Sequence, residues 1–190
     1  DVGLMKILCM GDSLTYGYGV RRNKVWTSIL AQGMPGVEFV NRGVTGDTTA
    51  EMKKRLMADI LGETPDQVIL MGGSNDVFTG IGIEVTKNNL VDMVTECKKN
   101  HVEIIIMTPF PINAETMAEN WKKLGVGRKS QEELLKLRFW IKEFCDTKKF
   151  LCIDTWKCFP EDIGECKQYY QDGIHLSNYG HEKFSNFILN

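Results

Sequence analysis

The chain has 190 residues, of which 43% are hydrophobic and 25% are charged, and this length and composition are typical of one soluble globular domain. Its formal net charge of −2 argues against nucleic acid or an anionic membrane as an electrostatically favoured partner. The chain contains no apolar run that approaches the roughly 18 residues needed to cross a bilayer.

Residues 5–190 are interpreted as a single domain. The first four residues, Asp-Val-Gly-Leu, lack the basic and long apolar regions of a signal peptide and are interpreted as a vector-derived remnant or a trimmed start. A cytoplasmic location is therefore expected, although a trimmed start would also allow secretion. The six cysteines are expected to be reduced thiols, several of them in the core, with one disulfide among Cys152, Cys158 and Cys166 left open.

Five short aliphatic runs are nearly continuous, which is the pattern of strands buried on both faces of a sheet. In chain order these predicted strands are Lys6–Met10, Val37–Asn41, Gln67–Met71, Val102–Thr108 and Phe150–Asp154. An irregular segment, residues 109–129, follows the fourth strand and is expected to form a lid or a pocket wall.

Segments with apolar residues at intervals of three and four separate and follow the strands, and they predict helices. In chain order their apolar faces carry Trp26, Ile29 and Leu30; Met52, Leu56 and Ile60; Leu90, Met93, Val94 and Cys97; Leu134, Leu137, Ile141 and Phe144; and Phe184, Phe187 and Ile188. The capping boxes Thr48-x-x-Glu51 and Ser130-x-x-Glu133 predict two helix starts, and Ser177 is expected to cap the last helix.

The alternation of strands and helices predicts an α/β fold with three layers, a five-stranded parallel sheet between two layers of helices. Such sheets bind ligands beyond the carboxyl ends of their strands. Functional side chains are therefore sought where the predicted strands end.

Ser13 follows the first strand in the segment Gly11-Asp12-Ser13-Leu14-Thr15-Tyr16-Gly17. Glycines on both sides allow a tight turn that presents the hydroxyl at the edge of the sheet, although the same residues are also ordinary turn and helix-capping chemistry.

A serine nucleophile needs a base, and the chain has three histidines. His175 is the best placed of them, because it precedes the last helix and Asp172 lies three residues before it, close enough to orient the imidazole. A structural Asp-Gly turn with a capping histidine is the alternative for this pair. We expect His101 to lie at a helix end and His181 to be a surface or packing residue.

Two other strand ends offer donors for the oxyanion that forms during acyl transfer. The backbone N–H of Gly43 and the side-chain amide of Asn75 are the candidates, and simple loop formation is the alternative for each. Asp12 and Asp76 are assigned to turn and loop hydrogen bonds. The aromatic side chains Tyr16, Tyr18, Phe110 and Trp121 are candidates for the substrate pocket, with a core or surface role equally open.

Four segments together resemble the conserved blocks of the GDSL, or SGNH, hydrolase family. They are, in order, Gly11-Asp12-Ser13-Leu14, Asn41-Arg42-Gly43, Gly73-Ser74-Asn75-Asp76 and Asp172-Gly173-Ile174-His175. The resemblance implies a flavodoxin-like sheet of order 2-1-3-4-5 and a metal-independent serine esterase, lipase, thioesterase or carbohydrate deacetylase that needs no cofactor.

The same resemblance implies roles for individual residues. Ser13, His175 and Asp172 would form the catalytic triad, and Ser13 N–H, Gly43 N–H and Asn75 Nδ2 would form the oxyanion hole. The partner would be a small-molecule ester, such as a short ester, an acetylated sugar or a lysolipid. The oligomeric state stays open.

Three rival functions share this predicted fold. An acyltransferase would use the same triad, a carbohydrate-binding relative would use the site without catalysis, and a flavodoxin-like module would bind a nucleotide or flavin. The chain lacks a Gly-x-Gly-x-x-Gly segment after the first strand and a Walker A lysine pattern, which disfavours the last of these. The serine is also not set in Gly-x-Ser-x-Gly, which argues against the α/β-hydrolase fold.

Overall fold

A computed structural model of the chain describes residues 3–161 and 163–190. Asp1 and Val2 lie outside the described residues, so the interpretation of residues 1–4 stays a prediction. The strands are β1 (Met5–Gly11), β2 (Val37–Gly43), β3 (Gln67–Leu70), β4 (Glu103–Met107) and β5 (Leu151–Ile153). They form one parallel sheet in the order β2-β1-β3-β4-β5, which confirms the predicted topology.

Eight α-helices connect or follow the strands in the described part of the chain. They are α1 (Ser13–Tyr16), α2 (Trp26–Gly33), α3 (Thr49–Glu63), α4 (Ser74–Phe78), α5 (Ile83–Lys99), α6 (Glu119–Lys123), α7 (Arg128–Lys148) and α8 (Asn178–Leu189). Three 3₁₀ segments, Arg22–Lys24, Thr155–Cys158 and Ile163–Tyr169, complete the connections.

The core lies in two layers, one on each face of the sheet. Along β1, Ile7 and Cys9 point to the face covered by α2 and α8, whereas Leu8 and Met10 point to the face covered by α3, α5 and α7. Successive strand residues alternate between faces, so a nearly continuous aliphatic run is what a sheet covered on both sides requires. This packing fixes the strand ends that carry the site.

Helix starts agree with the sequence in two places and differ in one. Thr48 N–H donates to the Glu51 carboxylate at 2.7 Å, and Ser177 Oγ accepts the N–H of Gly180 at 3.1 Å, so both predicted caps are confirmed. The predicted cap at Ser130 is wrong, because α7 begins at Arg128. Ser130 lies in its first turn, and its Oγ accepts the N–H of Gly127 at 3.2 Å.

The cysteines are thiols in the described structure. Cys9, Cys97 and Cys145 are buried in the core, as expected from the sequence. Cys152 and Cys158 are not joined in a disulfide. The Cys166 thiol donates a hydrogen bond to a backbone carbonyl oxygen at 3.3 Å, which answers the question that the sequence left open.

Across residues 3–161 and 163–190, none of the helices combines the length and apolar character that a bilayer span requires.

Candidate active site

Ser13 is the first residue of α1 and directly follows the turn after β1. Asp12 caps this short helix, since its Oδ1 accepts the N–H of Leu14 at 2.8 Å. Gly17 ends the helix with a φ of +87° and donates its N–H to the Ser13 carbonyl at 2.9 Å. A turn that is held at both ends fixes the Ser13 hydroxyl at the carboxyl edge of the sheet.

Ser13, His175 and Asp172 lie in one hydrogen-bonded line. Ser13 Oγ is 3.0 Å from His175 Nε2, and His175 Nδ1 is 2.7 Å from Asp172 Oδ2. Because an ionised carboxylate only accepts hydrogen bonds, the imidazole proton resides on Nδ1 and leaves Nε2 to accept from the hydroxyl. A hydroxyl in reach of a base that a third group orients is the geometry of an activated nucleophile.

The Asp172 carboxylate is surrounded by donors. Its Oδ1 accepts the backbone N–H groups of Ile174 at 3.0 Å and His175 at 2.8 Å. Its Oδ2 accepts the His175 imidazole and also the indole N–H of Trp121, at 3.0 Å. Burial alone would raise the pKa of Asp172, but the hydrogen bonds from the imidazole and the backbone outweigh it and hold that pKa well below its usual range. Asp172 is therefore ionised at neutral pH.

Asn75, Ser13 and His175 line one cavity at the carboxyl edge of the sheet. Asn75 Nδ2 donates to the Asp47 carbonyl at 2.9 Å, so one of its two amide protons is fixed and the other is left to point elsewhere. Arg55 anchors the loop after β2 that contains Asp47, since its Nε donates to Asp47 Oδ2 at 2.7 Å and its guanidinium also donates to the Gly11 carbonyl at 2.9 Å. Through Asp47, these bonds connect the ends of β1 and β2 to the side-chain amide of Asn75.

Asp76 anchors the helix that presents Asn75, as the sequence predicts. Its Oδ1 accepts the N–H of Thr49 at 2.8 Å. Its Oδ2 accepts the hydroxyls of Thr49 at 2.5 Å and Thr86 at 2.8 Å. The Asp76 side chain is fully buried, so three donors satisfy a carboxylate that would otherwise be costly to bury. It joins the starts of α3 and α5 to α4.

The prediction that Gly43 presents its N–H to a substrate is wrong. β2 continues to Gly43, which pairs with Gly11, and the Gly43 N–H donates to the Asn41 side chain at 2.9 Å. The Cα of Gly43 packs against α1, where a Cβ would lie 2.1 Å from the backbone nitrogen of Tyr16. This glycine is needed for the close approach of α1 to β2, and its N–H is already engaged.

Gly46, three residues further on, lines the cavity instead. Asp47 N–H donates to the Val44 carbonyl at 3.1 Å, and Gly46 has a φ of +88°. These features define a tight turn with Gly46 at the third position, where a positive φ favours glycine. The turn hydrogen bond does not use the Gly46 N–H. Gly46 was not among the residues predicted from the sequence, although Thr45-Gly46-Asp47 contains recognisable turn residues.

The cavity beside Ser13 has a volume of about 240 Å³ and is walled by aromatic side chains. The ring centroid of His175 lies 4.8 Å from that of Tyr18 and 5.9 Å from that of Trp121, and Phe78 lies next to Trp121 at 6.5 Å. Trp121 and Tyr18, two of the four aromatic candidates from the sequence, therefore lie on this wall. The sequence did not indicate Phe78.

For the other two aromatic candidates, Tyr16 and Phe110, the structure favours the alternative surface and core roles over a place in the pocket. Among the described residues that line the cavity, neither Tyr16 nor Phe110 is present. Tyr16 is partly exposed and its ring stacks under the Arg22 guanidinium at 3.9 Å. Phe110 turns into the core and packs edge-on against Phe184 at 4.9 Å. Neither has a place in the candidate site.

Asp12 and His181 are buried titratable groups near Ser13 and α2, respectively. Burial raises the pKa of Asp12 from its ordinary value of 3.8 to about 6, while the carboxylate keeps the capping role that the sequence predicts. Burial lowers the pKa of His181 to about 4, and its Nδ1 accepts the backbone N–H of Trp26 at 3.2 Å. His181 is therefore a neutral packing residue, one of the two roles expected for it.

Comparison with known proteins identifies relatives along most of the chain. Residues 9–183 match the GDSL-like Lipase/Acylhydrolase family. The chain is 32% identical over 106 residues to an arylesterase of Vibrio mimicus, a match that covers 54% of this chain and 53% of the arylesterase. It is 27% identical over 161 residues to an acetylxylan esterase of Geobacillus stearothermophilus, covering 77% of this chain and 68% of that protein.

The fold is also found in solved structures. A member of the lipolytic protein G-D-S-L family from Veillonella parvula superposes with a TM-score of 0.80 at 20% identity, covering 97% of this chain and 96% of that one. The match of this chain spans about half the length of the arylesterase. The Veillonella parvula structure, by contrast, superposes on this chain nearly from end to end.

Proposed function

The chain belongs to the GDSL-like lipase/acylhydrolase family, and from this premise we propose that it is a serine esterase that hydrolyses carboxylic esters through an acyl-enzyme. The observation that carries the proposal is the line from Ser13 Oγ to His175 Nε2 (3.0 Å) and from His175 Nδ1 to Asp172 Oδ2 (2.7 Å). The names of the Vibrio mimicus and Geobacillus stearothermophilus relatives, an arylesterase and an acetylxylan esterase, support the same reaction class.

In the proposed mechanism, Ser13 Oγ attacks the ester carbonyl carbon while His175 Nε2 takes the hydroxyl proton. Asp172 stabilises the imidazolium that forms. When the tetrahedral intermediate collapses, the bond to the alcohol oxygen breaks and His175 returns the proton to that oxygen. Water, deprotonated by His175, then attacks the acyl-enzyme, and the acid leaves as Ser13 regains its proton.

The oxyanion of the intermediate is proposed to bind three donors. Ser13 N–H is the first amide of α1 and has no partner within that helix. Asn75 Nδ2 retains one proton beyond its bond to the Asp47 carbonyl. The N–H of Gly46 takes the place predicted for Gly43, since Gly46 lies on the cavity wall and its N–H is outside the hydrogen bond of its turn. Donors fixed before the reaction stabilise developing charge without reorganisation.

Short acyl groups are the proposed substrates. The cavity of about 240 Å³ is smaller than the roughly 300–1,000 Å³ of sites that hold drug-sized ligands. Its walls include the side chains of Tyr18, Phe78 and Trp121, which leave room for an acetyl or similarly small acyl chain. We expect kcat/KM on p-nitrophenyl esters to fall steadily from acetate to palmitate. A maximum at palmitate would contradict the short-acyl assignment and leave the mechanism standing.

The reaction itself is tested by substitution of the nucleophile. Ser13→Ala should reduce kcat on p-nitrophenyl acetate by more than ~10³-fold, because the variant lacks the hydroxyl that is hydrogen-bonded to His175 Nε2. Ser28→Ala is the matched control, since Ser28 Oγ donates to the Arg22 carbonyl at 2.6 Å and Ser28 is not among the described residues that line the cavity. Its loss should leave the rate unchanged. Retention of near wild-type hydrolysis by Ser13→Ala would overturn the proposal.

A small-molecule ester is the proposed partner, and the cytoplasmic location stays a prediction from the sequence. Fractionation of cells that express the natural gene tests the location directly. Recovery of the esterase activity in the medium or with the membranes would contradict it.

A further inference from the structure

The segment after β4 is fixed to the turn that carries Asp172 and His175. Asn113 N–H donates to the Gly173 carbonyl at 2.7 Å, and Ala118 N–H donates to the Asp172 carbonyl at 3.0 Å. Gly173 has a φ of +92°, and a Cβ there would lie 2.9 Å from the Cα of Met117. Of the two roles that the sequence allowed for this segment, these contacts favour a fixed pocket wall over a mobile lid.

Trp121 lies in α6, three residues after the anchored Ala118, and its indole reaches the carboxylate of Asp172. An ionised carboxylate has about four acceptor positions. Three of those on Asp172 are filled from its own turn, by two backbone N–H groups and the His175 imidazole. The fourth donor, Trp121 Nε1 at 3.0 Å, comes from 51 positions away in the chain.

We propose that Trp121 is a positioning residue of the triad, in addition to lining the cavity. Its indole N–H holds the plane of the Asp172 carboxylate and shields Oδ2, the oxygen that orients His175, on a side chain that is still 20% exposed. A carboxylate free to rotate toward water would align the imidazole with Ser13 less often, so the chemical step would slow. The inference rests on the proposed esterase function and adds a residue that acts through Asp172.

The test removes the indole N–H of Trp121 and keeps a bicyclic aromatic side chain of nearly the same shape. Replacement of Trp121 by 3-benzothienylalanine puts a sulfur in place of the indole nitrogen and preserves the apolar wall. We expect kcat on p-nitrophenyl acetate to fall roughly tenfold, which is about 1.4 kcal/mol, with KM within about twofold of the wild type. Trp121→Phe should show the same loss of kcat with an additional change in KM, because it also reshapes the cavity.

Trp156 provides the matched control. Its indole N–H also donates a hydrogen bond, to the Pro109 carbonyl at 2.8 Å, but Trp156 is not among the described residues that line the cavity of Ser13, Asp172 and His175. The same isosteric replacement at Trp156 should leave kcat and KM unchanged. If the Trp121 isostere retains the wild-type kcat, or changes KM alone, Trp121 is only a pocket wall and the inference is overturned.

A second readout does not depend on turnover. The chain has four tryptophans, so their indole N–H resonances can be resolved by ¹⁵N NMR, and the signal that Trp121→Phe removes identifies Trp121. Asp172→Asn should move that signal and leave the Trp156 signal in place. An unmoved Trp121 signal would overturn the inference even in an active esterase. A wild-type protein without esterase activity would overturn the proposed function, whatever the NMR result.

Discussion

Asp12→Asn should stabilise the folded protein, and by an amount that depends on pH. The Asp12 side chain is 2% exposed, and burial raises its pKa from 3.8 to about 6. Asparagine keeps an oxygen that can accept the N–H of Leu14, so the cap of α1 is retained while the buried charge is removed. The variant therefore isolates the free-energy cost of ionising this carboxyl group.

The sign and size follow from the two pKa values. Between pH 4 and pH 6 the unfolded chain ionises Asp12 while the folded chain retains the proton, so the wild type loses stability as the pH rises through this window. The difference of about two pH units, at 1.36 kcal/mol each, corresponds to about 3 kcal/mol. The stability gained by Asp12→Asn should thus be near zero at pH 3.5, about half of its full value at pH 5, and constant above pH 7.

Urea unfolding of both proteins at a series of pH values measures this difference. The comparison cancels the contributions of every other titrating group that the substitution leaves alone. A difference in unfolding free energy that is independent of pH would refute the reasoning, because it would mean that Asp12 ionises alike in the folded and unfolded states. A difference that decreases as the pH rises would refute its sign.

Three other substitutions test separate parts of the structure. His181→Asn should reduce the acid sensitivity of folding. Burial lowers the pKa of His181 to about 4, so the unfolding free energy of the wild type should fall by about 3 kcal/mol between pH 6.5 and pH 4, and urea unfolding should show a smaller fall in the variant. Gly43→Ala should destabilise the fold by about 3 kcal/mol, because the added Cβ would lie 2.1 Å from a backbone nitrogen of α1. Thermal melting is compared with that of Gly36→Ala, where an added Cβ meets nothing within 4 Å, and equal melting temperatures of the two variants would contradict this prediction. Asn75→Ala should lower kcat by roughly 10²–10³ with little change in KM, whereas a change in KM alone in steady-state kinetics would remove Asn75 from the oxyanion hole.

The strands could be predicted from local sequence, and the meeting of Ser13 with Asp172 and His175 could be predicted from the positions of these residues relative to the predicted sheet. Each strand is a short aliphatic run between helices with clear spacing, and this pattern alone indicates a sheet covered on both faces. The strand order came from the family resemblance and not from the pattern. Asp172 and His175 are three residues apart on one turn, and Ser13 directly follows β1, so parallel strands bring them to one edge.

The errors arose where contacts between distant segments decide. Asn41-Arg42-Gly43 looks like a polar loop, yet β2 continues through it because Gly43 pairs with Gly11, and the cavity begins at Gly46. Phe110 follows β4 as closely as a pocket residue would, but the chain turns it into the core against Phe184. The bond from Trp121 to Asp172 joins segments that no periodicity relates.

Covalent labelling of the native protein with a fluorophosphonate probe, followed by peptide mapping by mass spectrometry, identifies the nucleophile without any substitution. We expect one adduct per chain, on Ser13, and its loss in His175→Ala, because the hydroxyl is nucleophilic only when His175 Nε2 can take its proton. Ser74 lines the same cavity and serves as the internal control. An adduct on Ser74, or no adduct at all, would contradict the assignment of Ser13 as the nucleophile.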